Sequence, residues 1–213
     1  MVVALEPIRQ AYGLKKVLVS TYQAVSGAGL EAIDELMEQS KAILAGEPAK
    51  AEVLPVSGDK KHYQIAFNAV PQIDVFQDNG FTFEEMKMIN ETKKIMHMEQ
   101  LEVAATCVRL PIETGHSESV YIETERAGAA VSDIRKLLAA APGITLQDDP
   151  SNQVYPLASE CVGKKDVFVG RIRRDLDREH GYHLWIVSDN LVKGASWNSI
   201  QIAESLVNLK LLS

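Results

Sequence analysis

The sequence predicts an α+β fold with a mixed, largely antiparallel sheet and helices packed on it. Three observations lead to this prediction. Stretches in which apolar residues alternate, as in strands, are interspersed with stretches of helical periodicity. Two alternating stretches, 166–174 and 182–189, are joined by a charged turn and predict an antiparallel hairpin. Strands and helices are mixed along the chain with at least one antiparallel pair, which is typical of the α+β class.

The first part of the chain predicts a helix, a strand and a second helix. Residues 4–12 have a helical pattern that ends at Gly13, a residue typical of helix C-termini. Residues 16–25 alternate and predict a strand, and a Ser-Gly-Ala-Gly turn then opens a helix over about 30–45. Residues 47–81 are interrupted by prolines and predict a long excursion, which often forms a subunit contact or a functional loop.

The middle of the chain contains clear helix and strand signals. Residues 82–85, Thr-Phe-Glu-Glu, form a capping box that begins a helix. Residues 103–110 and 118–125 predict two strands that flank a loop. Ser132 is predicted to cap a helix that runs to Ala141.

A last helix is predicted from about Ala195 to Lys210. It carries an apolar stripe at helical spacing. The stripe consists of Trp197, Ile200, Ala203, Val207 and Leu211.

The composition excludes several classes of partner. The net charge of −7 over 213 residues disfavours nucleic acid and anionic membrane surfaces. No apolar run approaches a membrane span and no signal peptide is recognisable. Two cysteines in a chain of this length favour a reducing, cytoplasmic compartment.

Arg109 and His116 are the most informative pair of residues. They flank a loop broken by proline and glycine, and a guanidinium fork beside a base that titrates near neutrality suits acyl transfer. An arginine paired to a glutamate and an exposed histidine are the alternatives. Cys107 in an apolar run and Cys161 before a Gly-Lys-Lys turn predict buried structural thiols. Without a nucleophile, the pair predicts half of an active site.

The segment 27–32, Gly-Ala-Gly-Leu-Glu-Ala, matches a relaxed dinucleotide-binding pattern, and Glu52 follows about 20 residues on. The proline-interrupted segment that follows argues against a nucleotide fold. A plain tight turn, or a turn that holds an anion or a carboxamide, are the other interpretations.

Glu84 and Lys87 stand three residues apart on one helical face. The residues alone favour a solvated salt bridge; the functional alternative is a carboxylate for a substrate amine and an ammonium for a phosphate. His180 and His183 lie in a turn and do not predict a metal site.

Five ordered segments together resemble aspartate-β-semialdehyde dehydrogenases of the Gram-positive type, over essentially all 213 residues. The segments are 19–29, 65–74 (IAFNAVPQID), 78–96, 109–116 and 188–195. The resemblance implies a fold like the C-terminal domain of glyceraldehyde-3-phosphate dehydrogenase. It also implies NADPH-dependent reduction of L-aspartyl-4-phosphate to the semialdehyde, in lysine, threonine and methionine biosynthesis.

The same resemblance implies roles for side chains. His116 resembles the general acid/base and Arg109 the fork for the substrate carboxylate. Gln23 resembles the residue that orients the acyl intermediate. Glu84 resembles the partner of the substrate amine, and Lys87 the phosphate contact.

Further implications concern the cofactor and the domains. Ser26, Gly27 and Asn190 resemble NADP contacts near the nicotinamide end. Residues 1–190 correspond to a catalytic and dimerisation domain, and 191–213 to a helix that packs on an NADP-binding domain. In the family that domain and the nucleophilic cysteine come before this region, so the chain alone is expected to be an inactive homodimer. A related reductase such as N-acetyl-glutamyl-phosphate reductase, or a non-catalytic dimerisation or anion-binding domain, are the alternatives.

Overall fold

The computed structural model describes residues 1–211 and contains one six-stranded sheet with helices. The strands are β1 (Lys16–Gln23), β2 (Glu102–Arg109), β3 (His116–Glu123), β4 (Ile144–Leu146), β5 (Val167–Arg174) and β6 (Gly181–Ser188). The helices are α1 (Val2–Tyr12), α2 (Leu30–Leu44), α3 (Phe83–Ile95), α4 (Val131–Ala140), α5 (Ala158–Cys161) and α6 (Trp197–Asn208). A 3₁₀ turn (Val25–Ala28) precedes α2, and a π-helical turn (Val192–Ser196) precedes α6.

The sheet is mixed, as the sequence predicts. Its strand order is β2-β1-β3-β6-β5-β4. The β1–β2 and β4–β5 pairs are parallel, and the other three pairs are antiparallel. The predicted hairpin is confirmed as β5 and β6. Because the order is not doubly wound, the Gly-rich segment 27–32 is the end of a 3₁₀ turn and the start of α2, and not part of a dinucleotide-binding fold.

Several details differ from the sequence predictions: among them, α5 was not predicted, and His183 lies in β6 and not in a turn. Ser132 does not cap α4, because Ala130 takes the N-cap position and Ser132 lies inside the first turn. His116 is the first residue of β3 and not part of the loop, since it pairs with Ser188 of β6. The strand β4 was not predicted; it has only three residues, too few for a visible alternation.

One face of the sheet forms the main core with α1, α3 and α4. Leu5 and Ile8 of α1 and Leu138 of α4 are fully buried against strand residues such as Ile122 and Leu184. Burying one such side chain contributes roughly 1.5–3 kcal/mol. None of the helices in residues 1–211 combines the length and hydropathy needed to cross a bilayer.

The 47–81 excursion is held by two buried polar side chains of α2. Glu35 accepts hydrogen bonds from the backbone N–H groups of residues 52–54. Gln39 accepts from the N–H groups of residues 65–66 and donates to the carbonyl of Lys50. A second apolar cluster lies beneath this segment. The excursion is therefore fixed mainly through its own backbone.

Candidate active site

The ends of three strands bring the predicted site residues together at one end of the sheet, which we call the pocket edge. Gln23 ends β1 and Arg109 ends β2, and the two residues are directly paired in the parallel register. His116 begins the antiparallel β3 at this same edge. The capped N-terminus of α3 brings Glu84 and Lys87 beside the strand ends.

These side chains line one pocket of about 400 Å³. Residues 53–57, from the excursion, form part of its wall together with Ile73 and Asp74. The predicted site residues that line it are Gln23, Gly27, Glu84, Lys87, Arg109 and His116.

Arg109 is a buried cation with spare donors. It is 4% exposed, and its Nη1 donates to the carbonyl of Ala24 at 2.8 Å. Its Nε is buried without a hydrogen-bond partner among the described residues. Burial lowers the pKa of this guanidinium, yet arginine stays charged in proteins. A buried charge with an unused donor is suited to an anionic ligand.

His116 is held as a neutral ring with a defined tautomer. The backbone N–H of Ala24 donates to its Nδ1 at 3.2 Å, so the proton of the neutral imidazole is on Nε2. Burial, and next the charge of Arg109, lower the pKa of His116 to about 4. At neutral pH the ring is uncharged and presents an N–H donor.

Glu84 connects Lys87 and Gln23. Lys87 Nζ donates to Glu84 Oε2 at 3.0 Å, and Gln23 Nε2 donates to Glu84 Oε1 at 3.2 Å. The hydrogen bond to Glu84 raises the pKa of Lys87. The predicted salt bridge is present, and it faces the pocket. Exposed pairs of this kind add little stability, so the pairing alone does not explain the arrangement.

Asn190 joins the Gly-rich turn to the loop before His116. Its Nδ2 donates to Ser26 Oγ at 3.0 Å, and its Oδ1 accepts from Gly115 N–H at 2.9 Å. A Cβ at Gly27 would lie 3.0 Å from Arg109 Nη1 and 3.4 Å from the His116 ring. The turn therefore lies directly against the catalytic candidates, with Gly27 in the pocket wall and Ser26 and Asn190 behind it.

The cysteines are placed as the sequence predicts. Cys107 and Cys161 are both free and fully buried. Burial raises the pKa of each thiol to about 11, so neither is a thiolate at neutral pH. Within residues 1–211, no group of three or more His, Cys, Asp or Glu side chains is arranged to hold a metal ion.

Sequence reasoning missed the parts of the site that are made by backbone or by long-range contacts. Both the N–H and the carbonyl of Ala24 bind site residues, and an alanine gives no signal for this. Asp189, 2% exposed, accepts from the N–H groups of Leu191 and Val192 and from Gly163 N–H. An acidic residue directly after an alternating strand is the sequence signal that could have identified Asp189.

The chain resembles known proteins over nearly its whole length. A family model described as semialdehyde dehydrogenase, dimerisation domain, matches residues 5–193. The aspartate-semialdehyde dehydrogenase of Bacillus subtilis is 73% identical over 212 residues, which is 100% of this chain and 61% of that protein. The enzyme of the same name from Aquifex aeolicus is 51% identical over 97% of this chain and 59% of that protein. The chain thus spans about 60% of the length of these relatives.

Solved structures show the same architecture. Aspartate semialdehyde dehydrogenase II from Vibrio cholerae, solved in complex with ASA, is 44% identical with a TM-score of 0.90, over 98% of this chain and 59% of that chain. A probable aspartate-semialdehyde dehydrogenase from Pseudomonas aeruginosa is 25% identical with a TM-score of 0.85, over 97% of this chain and 60% of that chain.

Proposed function

Because the chain belongs to the semialdehyde dehydrogenase dimerisation-domain family, we propose that it forms the substrate-binding and acid–base half of an NADP-dependent aspartate-semialdehyde dehydrogenase. The whole enzyme reduces L-aspartyl-4-phosphate to L-aspartate-4-semialdehyde and phosphate, in lysine, threonine and methionine biosynthesis. One observation carries the proposal: the pocket gathers a guanidinium from β2, a carboxylate and an ammonium from α3, and an imidazole from β3.

The charges of the pocket complement those of aspartyl phosphate. Arg109 binds the α-carboxylate, because its buried fork has spare donors. Glu84 binds the α-ammonium, and Lys87 binds the phosphate. Acyl-phosphate substrates without a free amine would leave Glu84 without a ligand, which disfavours N-acetyl-glutamyl-phosphate reduction.

His116 moves the proton in this scheme. Its Nδ1 is occupied by Ala24 N–H, so the proton on Nε2 is available to the reacting acyl group. In this tautomer the neutral ring donates a hydrogen bond from Nε2. To transfer a proton it must take the other tautomer, which breaks the Ala24 bond; Nε2 then accepts a proton from the reacting group, giving the imidazolium, and later returns it. Gln23, tethered to Glu84, orients the acyl group.

The nucleophile and most of the NADP site come from a part of the enzyme beyond these residues. Cys107 and Cys161 are excluded as nucleophiles by burial and a raised pKa. NADPH supplies hydride when bound. The family resemblance assigns Ser26, Gly27 and Asn190 to its nicotinamide end; of the three, Gly27 lines the pocket, where the absence of a Cβ leaves room beside Arg109 and His116. In this proposal residues 1–190 form the catalytic and dimerisation domain, and the C-terminal segment 191–213, whose residues 212 and 213 lie outside the described part of the chain, is assigned to a contact with this further domain.

We also propose a cytoplasmic homodimer. Two free cysteines are typical of a reducing compartment. Much of the apolar stretch 65–75 is buried inside the chain, including Ile65 and Val70, so it is not the contact surface as a whole. The proposed surface for the two-fold contact is instead formed by aromatic side chains that are exposed on the excursion and at the start of α3. They are Phe67, Phe76, Phe81 and Phe83.

The test is an assay of NADPH oxidation by aspartyl phosphate. The chain alone is expected to show no turnover, whereas a fusion to the preceding segment of the Bacillus subtilis relative is expected to be active. An inactive but folded fusion contradicts the proposed function. Turnover by the chain alone after replacement of Cys107 and Cys161 contradicts the assigned mechanism.

A further inference from the structure

The carboxylate of Glu85 joins the two elements that carry the proposed substrate contacts. Its Oε2 accepts a hydrogen bond from Thr82 N–H at 2.9 Å, as in any capping box. Its Oε1 accepts a second bond from the backbone N–H of Cys107 at 3.1 Å. Cys107 lies in β2, so Glu85 connects the N-terminus of α3 to the sheet. We call these two bonds the Glu85 clamp.

The bond to Cys107 fills a position that has no neighbouring strand. β2 is one of the two edge strands of the sheet, so it has a neighbouring strand, β1, on one side only. On the free side, the N–H of Arg109 donates to the carbonyl of Val70 at 2.8 Å, and the N–H of Cys107 donates to Glu85. Because Cys107 is fully buried and Glu85 is only 9% exposed, removing the acceptor oxygen leaves the buried N–H of Cys107 unpaired.

We propose that Glu85 is a positioning residue that fixes α3 against β2 and so sets the separation between Glu84 and Arg109. Glu84 directly precedes Glu85 on α3. Arg109 lies two residues after Cys107 and on the same buried face of β2. The clamp therefore connects the two sides of the pocket that would bind the substrate's ammonium and carboxylate. The identity of that substrate rests on the proposed function, whereas the positioning itself does not.

Glu85→Gln tests the clamp with little change in shape. An amide has only one oxygen, so its nitrogen must face one of the two backbone donors and one bond is lost. Glu99→Gln is the matched control: it removes the same charge from an exposed residue after α3. Glu85→Asp keeps both oxygens and shortens the reach, and we expect a weaker form of the same effect.

The first measurement is a nuclear magnetic resonance spectrum of the folded chain. Glu85→Gln is expected to shift both the backbone amide of Cys107 and the side-chain amide of Gln23, which donates to Glu84. Glu99→Gln is expected to shift neither. If Glu85→Gln moves the Cys107 signal and leaves the Gln23 side-chain signal in place, the clamp does not position α3 and the proposal is wrong.

The second measurement separates KM from kcat in the fused enzyme. Glu85→Gln is expected to raise KM for aspartyl phosphate about tenfold and to change kcat less than about threefold. His116 is held by Ala24 and not by α3, which is why kcat is largely kept. An unchanged KM, with kcat reduced only as far as the folded fraction falls, overturns the proposal. A wild-type fusion without turnover would instead refute the proposed function, and the spectra would still decide the role of Glu85.

Discussion

The pocket edge of the sheet and the helix α6 differ in how far their side chains find contacts within the chain. At the pocket edge, β1, β2, β3 and α3 are cross-linked by side-chain and backbone hydrogen bonds, and Gln23 and Arg109 are buried. In α6 no residue is buried, and Ile200 and Val207 are 48% and 60% exposed. Both regions have clear sequence patterns, but only the first meets its partners within residues 1–211.

This difference shows that contacts within the chain fix the pocket but leave the apolar stripe of α6 uncovered. The pocket is built by contacts among the described residues, so its formation does not depend on a contact outside them. The stripe of α6 is amphipathic without a covering surface, and an isolated helix of this length is marginal in water. The chain therefore combines a preorganised site with a terminal segment suited to a contact outside it.

The largest expected effect comes from removing the imidazole. His116→Ala in the fused enzyme is expected to lower kcat by roughly 10²–10⁴-fold, the usual contribution of general acid–base catalysis. The matched control is His97→Asn, an exposed histidine at positive φ, where asparagine is tolerated. A kcat for His116→Ala within a factor of about three of the control would remove His116 from the chemistry.

The next effect concerns substrate binding. Arg109→Lys is expected to raise KM for aspartyl phosphate by about 10- to 100-fold, because an ammonium cannot reproduce a bidentate fork. Arg174→Lys, at an exposed position of β5, is expected to leave KM unchanged. Steady-state kinetics distinguish this change from the kcat effect of His116→Ala, and identical profiles for the two variants would contradict the separate roles.

The prediction for pH concerns stability and follows from the environment of His116. The folded pKa is about 4 against the ordinary value of 6.5, so between these values the unfolded chain binds a proton that the folded chain does not. Stability is therefore expected to fall as the pH drops from about 6.5 to about 4, by about 1–3 kcal/mol. In His116→Gln this part of the loss is expected to disappear. Denaturant unfolding at a series of pH values measures it, and equal slopes in both proteins would refute the assignment.

The smallest effect is expected in α6. Ile200→Ala should change the unfolding free energy of the chain by less than about 0.5 kcal/mol, because the side chain is half exposed. Leu138→Ala, in the buried face of α4, should cost about 2–5 kcal/mol. Urea unfolding of the two variants gives the comparison. A cost for Ile200→Ala as large as that for Leu138→Ala would show that α6 is covered in solution.

Local patterns explain how much could be predicted. The capping box at Thr82 and Glu85 is contained in four residues, and the strand predicted over 103–110 is confirmed as β2, with Cys107 and Arg109 on its buried face. The N-cap of α4 was wrongly predicted at Ser132. The helix begins two residues earlier than predicted, with Ala130 at the N-cap and without a capping side chain.

Contacts between distant residues explain the rest. Asn190 bonds Ser26 across 164 positions, and Gln39 bonds backbone 26 positions away. No period or spacing in the sequence encodes such pairs. The resemblance to a family supplied the names of the site residues, but not the tautomer of His116 or the second bond of Glu85.

The hydrogen bonds between α2 and the backbone of the excursion affect how this pocket can change in evolution. Glu35 accepts from the main-chain N–H groups of the wall residues Val53 and Leu54, which every residue type except proline presents alike. Side chains of the wall, such as Val56 and Ser57, can therefore be exchanged without loosening it. Substrate preference in descendants of this protein can drift through these positions while the reacting groups stay in place.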